Sequence, residues 1–186
     1  MTKQEFDSAC SYYRLVDLLN ENSTNQVKKL LKTFSCTKNT DIQDFLYNKA
    51  TTFERYLRTR TYIYTSNADK SVMAYFSIGI TYLLTNQLSK DIIKFLDGYT
   101  NEIIALPCFI IGQLGKSDKC NEKIGNFLLD DALHFIDKSQ EILSGRFVLI
   151  DSVNEDKVIE FYRENSFIEI QKDTNLKSIK MIKPYF

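Results

Sequence analysis

The sequence predicts one mixed α/β domain over residues 1–186, and three observations support this fold class. Apolar residues recur at helical spacing over 42–57, two β-type runs flank a turn at 66–70, and strand-like and helix-like segments then alternate to the C-terminus. The 186 residues are enough for one substantial core and too few for two ordinary domains. With 44% hydrophobic and 26% charged residues, the composition is that of a globular protein.

The first half of the chain predicts a strand, two helices and a hairpin. We expect a strand over 12–19 and a short helix over about 25–33. Thr40-Asp41-Ile42-Gln43 has the form of a capping box, and the apolar stripe behind it predicts a helix of about four turns. The runs TYIYT (61–65) and SVMAYFSIGITYL (71–83) then predict an antiparallel hairpin.

The second half predicts alternating helices and strands. A helix over 89–97 should end at Gly98, and a strand should follow over 107–115. A helix over 122–138 and a buried strand over 146–151 come next. Residues Ser152 to Glu155 form a second capping box before a helix to about Asn165, and strands at 167–171 and 178–182 close the chain.

Charge, cysteines and hydropathy narrow the classes of function. The net charge is zero, yet residues 28–60 carry eight Lys and Arg against three acidic residues, which indicates either an anionic partner or a solvated helical face. The four cysteines form no CxxC motif, so no metal site is expected. With neither a signal-peptide core nor an apolar run of membrane-spanning length, a cytoplasmic protein with reduced thiols is expected.

The segment from strand 107–115 to helix 122–138 is the first candidate site. Such a strand, loop and helix direct free backbone N–H groups and the positive end of the helix dipole at whatever lies over the loop. Lys116, Lys119 and Lys123 add positive charge, and Gly125 is the single glycine of the stretch NEKIGNFLLDDALHFI (121–136). An anion cradle and a plain βα turn with a charged loop are both compatible with this pattern.

The downstream stretch RFVLIDSVNEDKVIEFYRENSFIEI (146–170) adds a strand, an Asn, a helix with an FY pair and a further strand that starts with an aromatic residue. Together with 107–138, it resembles the GNAT superfamily of acetyl-CoA-dependent N-acetyltransferases. FSCTKNTDIQDFLYNKA (34–50) and AYFSI (74–78) are similar to the branch with bacterial toxins that acetylate aminoacyl-tRNA. The resemblance implies a mostly antiparallel central sheet of six to seven strands with helices on both faces.

The resemblance also implies roles for individual residues. Leu114 and Gly115 would lie near the thioester of acetyl-CoA, and Asn154 would contact the cofactor arm. Tyr162 would protonate the leaving thiolate. The family's pyrophosphate loop corresponds to 120–125, that is, Cys120, Asn121, Glu122, Lys123, Ile124 and Gly125, and Lys116 would add a cofactor-binding positive charge just before it.

Three positions depart from the family pattern. Cys120 replaces a Gln or Arg, Lys123 replaces the first loop glycine, and Ser166 replaces the glycine of the GF element. A lysine has less conformational freedom than glycine and adds a side chain beside the pyrophosphate.

Some candidate residues have structural alternatives. Asn154 could support the N-terminus of the following helix, and Tyr162 could be a core residue at i, i+3 spacing from Ile159. Cys120 is either a simple replacement or a reactive thiol near a helix N-terminus. The single histidine, His134, is predicted to be a partly exposed helix residue rather than a base.

Two functions follow. The first is an acetyl-CoA-dependent N-acetyltransferase acting on a primary amine, with aminoacyl-tRNA bound through segment 28–60 as one acceptor, and a small amine or a protein N-terminus as others. The second is a GNAT-fold protein that binds an acyl-CoA or a partner protein with little or no catalysis. A homodimer is compatible with both, and the sequence does not identify an antitoxin.

Overall fold

The computed structural model describes residues 1–170 and 177–186 and contains a seven-stranded sheet. The helices are α1 (Lys3–Ala9), α2 (Leu15–Glu21), α3 (Thr24–Leu31), α4 (Thr40–Asp44), α5 (Ala50–Arg55), α6 (Lys90–Asp97), α7 (Gly125–Leu143) and α8 (Asp156–Glu164), with a π-helix (Phe45–Lys49) between α4 and α5. The strands are β1 (Cys10–Arg14), β2 (Arg60–Ser66), β3 (Val72–Leu84), β4 (Ala105–Lys116), β5 (Phe147–Val153), β6 (Ile168–Glu169) and β7 (Ser178–Pro184). The predicted mixed α/β class and strand number are confirmed.

The contacts within the chain divide it into two compact units. Unit 1 comprises residues 1–79 and 112–135, and unit 2 comprises 80–111 and 136–186. The predicted single domain over 1–186 stays a prediction. Strands β3 and β4 and helix α7 each contribute residues to both units.

Unit 1 contains strands in the order β1-β2-β3-β4, and the pairs β1/β2 and β2/β3 are antiparallel. The predicted hairpin is thereby confirmed. Its core packs α2, α3 and the helical segment 40–55 against β2 and β3, with the fully buried side chains Leu15, Leu31, Phe34, Leu46 and Tyr75 at the centre. Burial of these large apolar side chains is the main favourable contribution to folding of this unit.

The helical stretch 40–55 contains a π-helical turn that the apolar stripe did not predict. At the junction between α4 and the π-helix, the Tyr75 hydroxyl donates a 2.5 Å hydrogen bond to the carbonyl of Ile42. Tyr75 is fully buried, and its ring contacts Phe34 and Phe45. A tyrosine of β3 thus supplies a hydrogen bond where the regular helical pattern changes.

Unit 2 contains strands in the order β3-β4-β5-β7-β6. β4 and β5 are parallel, with Phe109, Ile110 and Ile111 opposite Val148, Leu149 and Ile150. This pairing ends at Ile111, whereas β4 continues to Lys116. The pairs β5/β7 and β6/β7 are antiparallel, and the core includes Leu96, Leu106, Phe147 and Ile182.

Two predicted boundaries in the N-terminal half are wrong. The strand expected over 12–19 ends at Arg14, and Leu15 begins helix α2. Leu15 and Leu18 are buried at helical i, i+3 spacing, so packing overrode the strand reading of the aliphatic run. The cap of α4 is Asn39 rather than Thr40, because the Asn39 side chain accepts from the backbone N–H of Asp41 and Ile42.

In the C-terminal half, helix α7 begins at Gly125 rather than at 122, and the second capping box is wrong. Ser152 lies in β5, where its hydroxyl donates to the Val153 carbonyl, and Glu155 is the N-cap of α8. The helix over 89–97 is confirmed as α6, with Ser89 as N-cap and Gly98 at φ +80° after it. The strand expected over 167–171 is shorter, and its Gln171 lies outside the described residues.

Candidate functional site

The end of β4 is buried on one side by the helical layer of unit 1. A Cβ atom on Gly115 would lie 2.6 Å from Cγ2 of Ile42 and 3.7 Å from Cζ of Phe34. The missing side chain of Gly115 therefore allows Ile42 to pack on the strand. Leu114, the preceding residue, is half-buried.

The loop after β4 is tied to unit 1 by its first residues. The Ser117 N–H donates to the Met73 carbonyl at 2.8 Å, and the Asp118 N–H donates to the Ser35 carbonyl at 2.7 Å. The Asp118 carboxylate accepts from the Thr37 N–H at 2.9 Å. These bonds fix the point at which the chain leaves the sheet and turns toward α7.

The positive charge of Lys116 suggested a contact with an anion, but its ammonium contacts the backbone of the loop. Its ammonium donates to the carbonyl oxygens of Cys120 and Glu122, at 2.8 Å each. These are charge-assisted hydrogen bonds to the backbone of the loop itself. Lys116 and Lys123 are both exposed, but the ammonium of Lys116 is engaged by the loop backbone.

The remaining loop residues lead into helix α7. Cys120 and Ile124 are buried, Asn121 and Glu122 are exposed, and the Glu122 carboxylate pairs with the N-terminal ammonium at 3.3 Å. The Cys120 sulfur lies 4.0 Å from the Glu122 carbonyl oxygen, so the thiol is a buried part of the loop. Among the hydrogen bonds of the described residues, none is donated by the backbone N–H groups of residues 121–125. The loop thus presents free donors at the start of α7.

The loop adopts its conformation without left-handed residues. In the described part of the chain, positive φ angles occur at Leu57, Lys70, Gly98, Ser144 and Ser166, all outside the segment 116–125. Lys123 therefore causes no backbone strain at the position of the family's first glycine. Ser166 does adopt φ +67°, the left-handed conformation that glycine favours.

Asn154 and Tyr162 both lie in unit 2. Asn154 is an exposed residue between β5 and α8, and its backbone N–H donates to the Lys177 carbonyl at 3.2 Å. Since Glu155 is the N-cap of α8, Asn154 is not the capping residue that one interpretation required.

Tyr162 is buried in α8, and its ring packs edge-on against Phe161 and Phe167. Burial raises the pKa of Tyr162 to about 12, because the phenolate would lose its hydration. Among the hydrogen bonds of the described residues, none involves the Tyr162 hydroxyl. The side chain is thus a protonated phenol at neutral pH with its donor available.

The basic segment 28–60 is exposed at each of its eight cationic side chains. Arg60 pairs with the buried carboxylate of Glu54 at 2.8 Å, and Lys49 pairs with Asp44 at 3.0 Å. Arg55 donates to the Thr24 hydroxyl and so joins the end of α5 to the start of α3. Lys28 and Lys32 follow Thr24 at i+4 and i+8, which places Arg55, Lys28 and Lys32 along one face, here called the basic stripe.

The structure places Leu114, Gly115, Lys116 and residues 120–125 together around the end of β4. Sequence reasoning missed the anchoring roles of Ser117 and Asp118, which no local motif marks because their partners are distant in sequence. It correctly predicted the burial of Cys36 and Cys108, and burial raises the pKa of the Cys108 thiol to about 12. His134 is an exposed residue of α7.

Among the described residues, no group of three or more His, Cys, Asp or Glu side chains is arranged to hold a metal ion. No helix in residues 1–170 and 177–186 has the length and apolar character needed to cross a membrane.

Comparisons with known proteins identify the fold. A scan against protein-family models gives no match, and a search of the curated proteins gives none either. Among solved structures, AtaT complexed with acetyl-methionyl-tRNAfMet matches with a TM-score of 0.69 and 16% identity over 94% of each chain. A variant of KacT matches with a TM-score of 0.71 and 13% identity over 95% of each chain. AtaTR bound with acetyl-CoA matches with a TM-score of 0.65 and 15% identity over 94% of each chain. The chain therefore has the GNAT fold that these proteins share.

The contact between Gly115 and Ile42 leads to a stability prediction. Gly115→Ala should lower the free energy of unfolding by about 1–3 kcal/mol, because the new methyl group overlaps Ile42. Gly112→Ala is the matched control on the same strand, since its Cβ would meet the Ser77 hydroxyl at 3.3 Å and the Ser77 carbonyl oxygen at 4.0 Å. Urea denaturation measures both variants, and equal losses of stability would contradict this role for Gly115.

Proposed function

We propose that this protein is an acetyl-CoA-dependent N-acetyltransferase that acetylates a primary amine. The observation that carries the proposal is the loop 116–125, which presents free backbone donors at the start of α7 in a fold shared with AtaTR, a protein solved with acetyl-CoA bound. Acetyl-CoA supplies an activated acetyl group as a thioester. The residues that form its binding site would be Leu114, Gly115, Lys116, Asn154 and the run from Cys120 to Gly125, with Lys116 acting through the loop backbone.

Different parts of this site would contact different parts of acetyl-CoA. The N–H groups of Asn121 to Gly125 would bind the pyrophosphate, with the positive end of the α7 dipole behind them. The backbone of β4 at Leu114 and Gly115 would hold the cofactor arm near the thioester, and Asn154 would contact that arm through its side chain. A side chain at position 115 would overlap Ile42.

Tyr162 would act as the general acid. As a buried phenol with a pKa of about 12, it remains protonated across the physiological range and can donate to the thiolate as it leaves. A hydroxyl that makes no hydrogen bond among the described residues is available for that transfer.

The attacking amine must be neutral, because an ammonium has no lone pair to form a bond with the thioester carbonyl. An acceptor amine of low pKa is partly neutral near pH 7 without help from a base. An α-amino group, with a pKa near 8, satisfies this better than a lysine side chain, with a pKa of about 10.4.

Aminoacyl-tRNA is the α-amine acceptor that the charge distribution favours. Arg55, Lys28 and Lys32 form an exposed basic stripe that can neutralise backbone phosphates. AtaT, which shares the fold, was solved with acetyl-methionyl-tRNAfMet. In this proposal the protein is a toxin-like tRNA acetyltransferase.

Unit 2 carries a surface that supports self-association. Ile80, Tyr82 and Leu84 alternate along β3 and are each more than 60% exposed. Next to them is a cavity of about 500 Å³, lined in part by Ile80, Leu143, Arg146 and Asp97. Because protruding apolar side chains, a hollow and charges of both signs occur on one face, we propose that this face forms an isologous homodimer.

Replacement of the acid should separate catalysis from binding. Tyr162→Phe should lower kcat by about 10²–10⁴-fold and leave the Kd for coenzyme A unchanged, since only the proton donor is lost. Release of the coenzyme A thiol with aminoacyl-tRNA as acceptor measures the rate, and calorimetry measures the Kd. The control is Tyr185→Phe, which makes the same chemical change at a tyrosine bonded to Asp137.

Binding of coenzyme A without any turnover on aminoacyl-tRNA, a small amine or a peptide N-terminus would favour the second function, a GNAT-fold protein that binds without catalysis. No binding of coenzyme A by the wild type would overturn the proposal itself.

Neutralisation of the basic stripe should weaken tRNA binding. The triple variant Lys28→Gln, Lys32→Gln, Arg55→Gln should reduce the slope of log K against log salt by about 2–3, because up to three phosphate contacts are lost. The control triple variant changes Lys90, Lys138 and Lys157 to Gln in unit 2. Filter binding at several salt concentrations measures both, and the same slope in both variants would contradict the assignment.

The dimer can be tested by sedimentation velocity over a range of concentrations. The wild type should sediment as a dimer, and Tyr82→Glu should sediment as a monomer, because a carboxylate cannot be buried in an apolar interface without large cost. Leu57→Glu, at an exposed leucine of unit 1, should remain dimeric. A monomeric wild type at all concentrations would overturn the proposal.

A further inference from the structure

Lys116 is the one cation of the loop whose ammonium is occupied by backbone oxygens. It leaves the end of β4 and contacts the carbonyl oxygens of Cys120 and Glu122, each at 2.8 Å. Both acceptors follow the anchors at Ser117 and Asp118, and the Ser117 carbonyl also accepts from the Cys120 N–H at 2.9 Å. The lysine therefore extends the bonding of the loop from Cys120 to Glu122.

Because the peptide bond is planar, these two carbonyl contacts also fix the direction of two backbone N–H groups. In a trans peptide, the carbonyl oxygen of one residue and the N–H of the next point in opposite directions. With the Cys120 and Glu122 carbonyls directed at the ammonium, the N–H groups of Asn121 and Lys123 must point away from it. Those two N–H groups are among the free donors at the start of α7.

The backbone angles explain why a lysine can replace glycine here. In this loop no residue has a positive φ, so glycine's access to left-handed conformations is not needed. The loop instead needs an interaction that holds the Cys120 and Glu122 carbonyls in one direction, because unbonded peptide groups would rotate toward water. The two charge-assisted hydrogen bonds from Lys116 provide that interaction.

We infer that Lys116 is a positioning residue that orients the Asn121 and Lys123 N–H groups toward the pyrophosphate, in place of a direct phosphate contact by its ammonium. This inference rests on the proposed use of acetyl-CoA. It assigns to one lysine the orienting role for a loop that has a single glycine. Lys119, exposed on the same loop, provides the matched comparison.

The first experiment needs no ligand. In the ligand-free protein, Lys116→Met should accelerate amide hydrogen exchange at Cys120, whose N–H donates to the Ser117 carbonyl at 2.9 Å, because the loop opens more often once the two carbonyl bonds from Lys116 are lost. Lys119→Met removes the same charge and should leave exchange at this amide unchanged. Unchanged exchange in the Lys116 variant would overturn the inference, whatever the protein binds.

The second experiment uses coenzyme A and pantetheine, which lacks the phosphates. Lys116→Met should weaken coenzyme A by about tenfold or more, the effect expected of bonds to a charged group, and should leave pantetheine binding unaltered. Lys119→Met should weaken coenzyme A by less than about threefold, as an exposed charge does. Equal weakening by the two variants would show that Lys116 acts only as a charge and would overturn the inference.

Two controls complete the design. Lys116→Arg keeps the charge and several donors, so it should retain most of the affinity for coenzyme A and guards against a Met variant that fails to fold. If the wild type does not bind coenzyme A, the proposed function fails, while the exchange experiment still decides whether Lys116 orders the loop.

Discussion

The close contact between Ile42 and the backbone of Gly115 is the constraint around which unit 1 is built. A Cβ atom on Gly115 would lie only 2.6 Å from the isoleucine methyl, so the Ile42 side chain packs directly on the strand backbone. Tyr75 holds the same isoleucine from β3, through a hydrogen bond to its carbonyl. The position of α4 and the π-helix, and with them the end of β4, follows from these two contacts. The loop that leaves β4 therefore begins from a fixed point.

The loop 116–125 keeps its conformation with a single glycine. Glycine is needed where the chain must adopt positive φ or where a side chain would block a ligand. In the loop 116–125 the first requirement is absent, and Lys123 directs its side chain to solvent. The ammonium of Lys116 organises the carbonyls instead, at 2.8 Å from two of them. The lysine in place of the family's first loop glycine is thereby compatible with the proposed binding of a pyrophosphate.

The proposed reaction needs a proton donor for the leaving thiolate and an acceptor amine that is neutral. Tyr162 is a buried phenol that can serve as the donor. An α-amine is partly neutral without help from a base, and the exposed basic stripe suits a proposed acceptor with phosphates. The zero net charge limits that attraction to one segment of the surface.

The sequence by itself determined the fold class, the hairpin, helix α6 and the order of strand, loop and helix predicted over 107–138, because these depend on apolar periodicity and local caps. Through its resemblance to a family, it also proposed the loop and Tyr162 as candidate site residues. Only the tertiary structure decided that Leu15 begins a helix, that Asn39 rather than Thr40 is a cap, and that Lys116 binds carbonyls. The same holds for the anchors at Ser117 and Asp118, whose partners Met73, Ser35 and Thr37 lie about 40 to 80 residues away in the chain. Periodicity records which face of an element is buried, whereas a polar side chain chooses among partners that only folding brings within hydrogen-bonding distance.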